Sequence, residues 1–176
     1  TILMRMFYPD RREKSAYTID YADLYRKGYR GVIFDIDNTL VPHGAPATKE
    51  AAAFFASLRE TGFSTCLLSN NQKPRVAPFA DAVGSIYIEN AHKPSVKNYQ
   101  EACRRMGIKE EQAVFVGDQL FTDVYGAKRT GLYNILTEPI NPKEEIQIVL
   151  KRYLEHIVLF FYERDLARGR ITKKNS

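Results

Sequence analysis

Three short runs, Val32-Ile33-Phe34, Cys66-Leu67-Leu68 and Ala113-Val114-Phe115-Val116, are apolar at almost every position. A strand with one wet face alternates apolar and polar residues. A strand apolar on both sides needs cover on both, which is the condition of a parallel sheet between layers of helices. Helical patterns separate the runs, and that alternation argues for a parallel α/β fold. Strands are expected at Gly31 to Asp35, Ser64 to Ser69, Ser85 to Ile88, Ala113 to Gly117 and Leu132 to Leu136, a sheet of roughly five strands. Helices are expected at Tyr21 to Lys27, Lys49 to Thr61 with Thr48 as its cap, Pro74 to Asp81, a segment capped by Ser95 and running to Met106, Leu120 to Arg129, and Pro142 to Leu166. Gly62, Gly107 and Gly131 stand where three of these connections turn.

A chain of 176 residues fits one domain, and 44% apolar residues suffice for a core. Cys66 and Cys103 lack metal-ligand spacing and are expected to be packed, reduced thiols. No apolar run reaches the roughly 18 residues of a membrane span. Residues 1–7 turn charged too soon for a signal peptide, so a cytoplasmic location is expected. Of the net charge of +5, most lies at the C-terminus: Arg164, Arg168, Arg170, Lys173 and Lys174 face Asp165 alone after position 163, which is +5 − 1 = +4.

In a parallel sheet, ligands bind at the carboxyl ends of the strands. Here those ends carry Asp35 and Asp37, then Ser69-Asn70-Asn71, then His92-Lys93-Pro94, then Gly117-Asp118 with Asp123 five residues on. Asp35 and Asp37 are two apart, so an extended backbone turns both to one side. Two close carboxylates share a proton or hold a cation, and a polar turn suits a hard one such as Mg²⁺. A carboxylate can also attack phosphorus and divide one difficult step into two. A second can protonate the leaving group and then activate water. A hydroxyl, a lysine and turn N–H groups can neutralise the phosphoryl oxygens. Phosphate-monoester hydrolysis needs enhancements of up to ~10²¹-fold, beyond what any one residue supplies. Taken singly, each of these residues is also an ordinary turn or surface residue; their order along the chain is what points to a site, while His43 reads as a loop histidine and His156 as a helix-surface or packed residue.

The segment Asp35-Ile36-Asp37-Asn38-Thr39-Leu40 resembles the first motif of the haloacid-dehalogenase-like (HAD) hydrolases. Ser69, Lys93 and Gly117-Asp118-Gln119-Leu120-Phe121-Thr122-Asp123 are similar to the second, third and fourth, in order, across roughly residues 31 to 137. The resemblance implies an HAD-like Rossmannoid fold and a Mg²⁺-dependent phosphomonoesterase working through an aspartyl-phosphate. It implies Asp35 as nucleophile and metal ligand, and Asp37 as acid/base with its backbone carbonyl on the metal. It further implies Asp118 as a ligand, Asp123 as a ligand or its support, and Ser69, Asn70 and Lys93 around the phosphate. The continuation Asn38-Thr39-Leu40-Val41-Pro42, the Lys93-Pro94 pair and Gly117-Asp118-Gln119-x-x-Thr122-Asp123 resemble subfamily IIIA phosphatases of the YqeG type. These are similar to phosphatidylglycerophosphate phosphatases, enzymes of phospholipid biosynthesis.

Many HAD enzymes carry a cap domain inserted after the first motif or before the third. Here Val41 to Ala47 and Glu89 to His92 are too short for one, so a single capless domain over 1–176 is expected, open to a large substrate. Phosphatidylglycerophosphate is the leading expectation. A nucleic-acid-end or nucleotide phosphatase with the same site, and a non-catalytic interaction module, are the alternatives. On a helical wheel Ile146, Val149, Leu150, Tyr153, Ile157, Phe160 and Phe161 share a face expected to pack on the sheet, leaving Val158, Leu159 and Tyr162 on the charged side. The basic tail suits anionic lipid, a peripheral contact at the inner face of the membrane. It would equally suit a phosphate backbone, but no specific nucleic acid is expected.

Overall fold

In the computed structural model the described residues are 2–141 and 146–174, with side chains described for 2–141 and 150–174. One parallel sheet of six strands organises them: β1 (Arg11–Glu13), β2 (Gly31–Phe34), β3 (Ser64–Leu68), β4 (Ile86–Ile88), β5 (Ala113–Gly117) and β6 (Tyr133–Thr137), in the order β1-β6-β5-β2-β3-β4. The expected five strands are all present. The sixth, β1, has the sequence Arg-Arg-Glu, with no apolar signal to mark it. It forms because edge residues Arg11, Arg12 and Glu13 lie opposite Ile135, Leu136 and Thr137 of β6.

The helices are α1 (Tyr21–Arg26), α2 (Lys49–Thr61), α3 (Lys73–Val83), α4 (Val96–Met106), α5 (Tyr125–Thr130) and α6 (Ile146–Ala167). They follow from local chemistry. The Thr48 hydroxyl accepts from the Ala51 N–H at 3.0 Å and starts α2. Gly62, at φ +114°, ends it in a conformation that only glycine adopts without strain. Ser95 stands at the head of α4 as expected, but its hydroxyl caps nothing.

Alternation along the buried strands divides the core between the faces. Phe34, Leu67, Val114, Val116 and Ile135 meet Leu24, Phe55, Leu58, Val76 and Phe79 on one side. Ile33, Cys66, Leu68 and Phe115 meet Tyr99, Ala102 and Cys103 on the other. Both cysteines are free and buried; burial pushes the Cys66 thiol up to about 12 and Cys103 to about 11. Among the described residues no helix is long and apolar enough to cross a membrane.

Two further expectations need correction. Residues Leu120–Val124, expected as the start of a helix to Arg129, form a π-turn that leads into α5. Such turns gather at functional sites, and this one turns Asp123 inward. The second correction is α6. Its head at Pro142, and the side chains of Ile146 and Val149, lie outside the described residues. Leu150, Tyr153, Ile157 and Phe160, expected against the sheet, are 62%, 66%, 38% and 66% exposed. Val158 and Tyr162, assigned to the charged side, are the buried ones, joined by Glu155 and Asp165. A wheel counts apolarity and cannot see partners. The acids of the inner face all find them: Glu155 accepts from the Leu120 N–H at 3.0 Å, and Asp165 accepts from the Tyr8 hydroxyl at 3.0 Å and faces Arg5.

Candidate active site

β2, β3 and β5 deliver their polar ends to one edge of the sheet. Phe34 lies opposite Val116 on one side and Leu67 on the other, so Asp35 emerges between Gly117-Asp118 and Leu68-Ser69. The Asp35 N–H continues the ladder to the Val116 carbonyl at 3.1 Å. The loop carrying Lys93 is clamped by Asn70, whose amide oxygen accepts the Lys93 N–H at 2.7 Å while its NH₂ donates to the Lys93 carbonyl at 3.3 Å.

Lys93 is the hub. Its ammonium donates to Asp35 Oδ1 at 2.9 Å and to Asp123 Oδ1 at 2.8 Å, with the side chain 3% exposed. Asp123 also accepts the Gln119 N–H at 3.0 Å. The π-turn that presents it is held by the Tyr99 hydroxyl, which donates to the Thr122 carbonyl at 2.6 Å. Thr39 donates to Asp35 at 3.3 Å and Asp118 at 3.2 Å, joining the first and fourth motifs. Gly117 keeps the approach open, because a Cβ there would lie 2.6 Å from Asp123 Oδ2.

Asp35, Asp118 and Asp123 each place a carboxylate oxygen within 4.8 Å of the others, all three buried. Burial pushes Asp35 up to about 6 against the pull of Lys93, and Asp118 also to about 6, with Asp123 adding to the rise. Asp123 is raised by burial and by Asp35. Burial alone would lower the Lys93 ammonium, but Asp123 and Asp35 more than offset it and hold it above its usual value. Lys93 and Arg152 are the cations paired with these three buried carboxylates, and Arg152 is shared with the buried Glu155 at 3.1 Å, so the acids are left under-neutralised. An all-oxygen, under-neutralised donor set of this kind fits a hard divalent cation.

Asp37 stands apart from the three acids. Its carboxylate accepts from Arg75 at 2.8 Å, the Asn71 side chain at 2.7 Å and the Gly44 N–H at 2.8 Å. It lines the same small pocket of about 90 Å³ as Asp35, Ser69, Asn70 and Lys93. His43 lies on that wall too. Ser69 Oγ accepts the Asn71 N–H at 3.1 Å, which leaves its proton to donate into the pocket. A larger cleft of about 1160 Å³ opens beside Asp118 between α6 and the ends of β1 and β6, with Arg12, Lys14, Glu13 and Glu163 of both signs on its walls.

The structure thus brings together every residue singled out in the sequence: Asp35, Asp37, Ser69, Asn70, Lys93, Asp118 and Asp123. It adds Arg75 and Arg152, which sequence reading missed. Arg152 donates to both the carboxylate and the carbonyl of Asp118 from 34 residues away. Neither arginine sits in a motif, so only three-dimensional placement identifies it. The connections 41–48 and 89–92, all within the described residues, carry no inserted domain.

Acids, lysine and hydroxyl at the strand ends of a parallel α/β sheet define the hydrolase class that the motifs resemble. Residues 44–131 match the family model described as haloacid dehalogenase-like hydrolase. Across 164 residues the chain is 34% identical to "Probable phosphatase YqeG" of Bacillus subtilis, covering 93% of this chain and 95% of that one. The chain belongs to the haloacid dehalogenase-like hydrolases. It is 29% identical to phosphatidylglycerophosphate phosphatase 1 (chloroplastic/mitochondrial) of Arabidopsis thaliana, over 86% of this chain but only 46% of that longer protein. An uncharacterized protein from Listeria monocytogenes shares the fold, with a TM-score of 0.51 and 18% identity over 66% of this chain and 86% of that one.

Proposed function

We propose that this phosphoric monoester hydrolase works through an aspartyl-phosphate at Asp35, depends on Mg²⁺, and acts on phosphatidylglycerophosphate. The observation that carries the reading is the buried convergence of Asp35, Lys93, Asp118 and Asp123 at the sheet edge. Mg²⁺ held by Asp35, Asp118 and Asp123 would supply charge neutralisation at the phosphoryl oxygens. The rest falls to the chain. The Asp35 carboxylate bonds to phosphorus as the ester oxygen leaves, so one P–O bond forms while another breaks. Asp37, fixed at the mouth by Arg75, Asn71 and the Gly44 N–H, gives its proton to the departing alkoxide. It then takes a proton from the water that splits the aspartyl-phosphate. Two of the three Lys93 N–H bonds are engaged by Asp35 and Asp123, leaving the third for a phosphoryl oxygen, with the Ser69 hydroxyl beside it.

The substrate rests on the Arabidopsis relative and on the two short connections, which leave the mouth uncovered for a phosphate carried on a large body. Initial rates on vesicles containing phosphatidylglycerophosphate, compared with 5′-phosphorylated oligonucleotides and nucleotides, test it. A clear preference for the lipid is expected. Faster release from oligonucleotides would reject the lipid substrate in favour of a nucleic-acid-end phosphatase using the same residues. No phosphate from any substrate would mark the chain as an interaction module that keeps the fold.

A further inference from the structure

α6 is amphipathic in an unusual sense: its inner face combines Val158 and Tyr162, packed with Leu120 and Leu136, with the paired acids Glu155 and Asp165, and its outer face is apolar. Leu150, Tyr153, Leu154, Ile157 and Phe160 follow one another at helical spacing and are 62%, 66%, 47%, 38% and 66% exposed. No acid interrupts that stripe. It continues into the exposed Arg168, eight residues beyond Phe160, where the basic tail begins, past Arg164, which is stacked on Phe161 and paired with Asp165. The turn Leu3–Phe7 packs on the far end of α6 through Tyr8–Tyr162 and Arg5–Asp165, and it also leaves Ile2, Leu3 and Met6 exposed. Singly exposed apolar residues are ordinary, but a contiguous row on one helix marks a contact surface.

The stripe is next to the active site. Lys151 donates to Gln119 Oε1 at 3.0 Å, and Arg152 donates to Asp118; Gln119 lines the pocket that holds Asp35. The helical turn that borders the acids therefore also presents Leu150, Tyr153 and Leu154 outward.

We infer that this face of α6 seats the protein on an anionic lipid surface, with the apolar row in the headgroup boundary and Arg168 and the tail over the lipid charges. A helix with an apolar face and basic flank binds an interface in this way. The alternative occupant, the same face of a second copy, fits less well: in either orientation of the pair the described stripe offers no acid to the basic residues beyond Phe160. The inference deepens the proposed function and rests on its lipid substrate, since the same contact would bring a headgroup phosphate to the mouth at Asp37.

The test is co-sedimentation of the full chain with phosphatidylglycerol-rich or phosphatidylcholine-only vesicles, alongside Tyr153→Glu/Phe160→Glu and the milder Tyr153→Ser/Phe160→Ser. Turnover of soluble para-nitrophenyl phosphate and the sedimentation mass are measured on the same samples. The wild type should bind the anionic vesicles and sediment alone as a monomer. The glutamate pair should bind roughly tenfold more weakly or worse, the serine pair less severely. Soluble turnover should be unchanged in both, reporting an intact fold. Equal vesicle binding by all three proteins would overturn the inference, as would a wild-type dimer that the substitutions dissociate. The two readings fail separately. Hydrolysis of phosphatidylglycerophosphate in detergent micelles with vesicle binding indifferent to α6 sinks only this inference. Vesicle binding through α6 without hydrolysis of that lipid sinks only the substrate.

Discussion

Lys93→Met removes the ammonium at the hub and keeps its aliphatic bulk. Each contact, at 2.9 Å to Asp35 and 2.8 Å to Asp123, has a gross attraction of about 6 kcal/mol at an effective dielectric of about 20. Burial takes back several kcal/mol per ion, so the loss on breaking such a pair is about 3–5 kcal/mol. In a domain of this size that is a fall in Tm of roughly 6–20 °C. The loss must depend on pH. Asp35 and Asp118 stand at about 6, and Asp123 is also raised. Lys93 is what lowers Asp35 and Asp123, so without it both rise further, and holding them charged at pH 8 is costly until they take up protons as pH falls towards 5; Asp118 keeps Arg152. Differential scanning calorimetry without divalent cations at both pH values is the assay. The variant should be far less stable than the wild type at pH 8 and closer to it at pH 5. An equal Tm deficit at both, or one of a degree or two, would refute the claim that Lys93 neutralises buried carboxylates.

Three further outcomes follow from the same geometry. Gly117→Ala drives a Cβ into Asp123 and should cost about 1–3 kcal/mol in stability, with weakened divalent-cation binding by titration calorimetry. Arg152→Met leaves the buried Asp118 carboxylate without its guanidinium; thermal unfolding should show a loss of about 3–5 kcal/mol, partly recovered when Mg²⁺ is added. The raised carboxylates favour the protonated form in the cation-free fold, so that form loses stability as pH rises through about 6, the sign expected when the native state binds more protons than the unfolded one. A cation must displace those protons at low pH, so the rise in Tm on adding Mg²⁺ should be large at pH 8 and small at pH 5.

The legible parts of the sequence were those where local chemistry decides the outcome. Val32 to Phe34 and Ala113 to Val116 read as strands buried on both faces, because short apolar runs alternate with helical patterns, and a parallel sheet then brings their polar ends to one edge. The strand β1 was illegible because three charged residues become a strand only through their pairing with β6. The orientation of α6 was misread for a related reason: Glu155 and Asp165 look like solvent residues until the Leu120 N–H and Tyr8 hydroxyl are in place. Arg75 and Arg152 were invisible because their partners, Asp37 and Asp118, lie 38 and 34 residues away. Motifs record what is contiguous, and these contacts are not.

The central claim is that Asp35 carries the phosphoryl group, and trapping it is the direct test. Phosphatidylglycerophosphate labelled with ³²P in its terminal phosphomonoester is mixed with excess enzyme in a single turnover, quenched in acid within milliseconds, and the protein digested. The account predicts a hydroxylamine-labile label on the peptide containing Asp35, absent in Asp35→Asn, whose fold should remain intact by circular dichroism. Phosphate released with no protein-bound label at any time, or label and turnover persisting in Asp35→Asn, would contradict it.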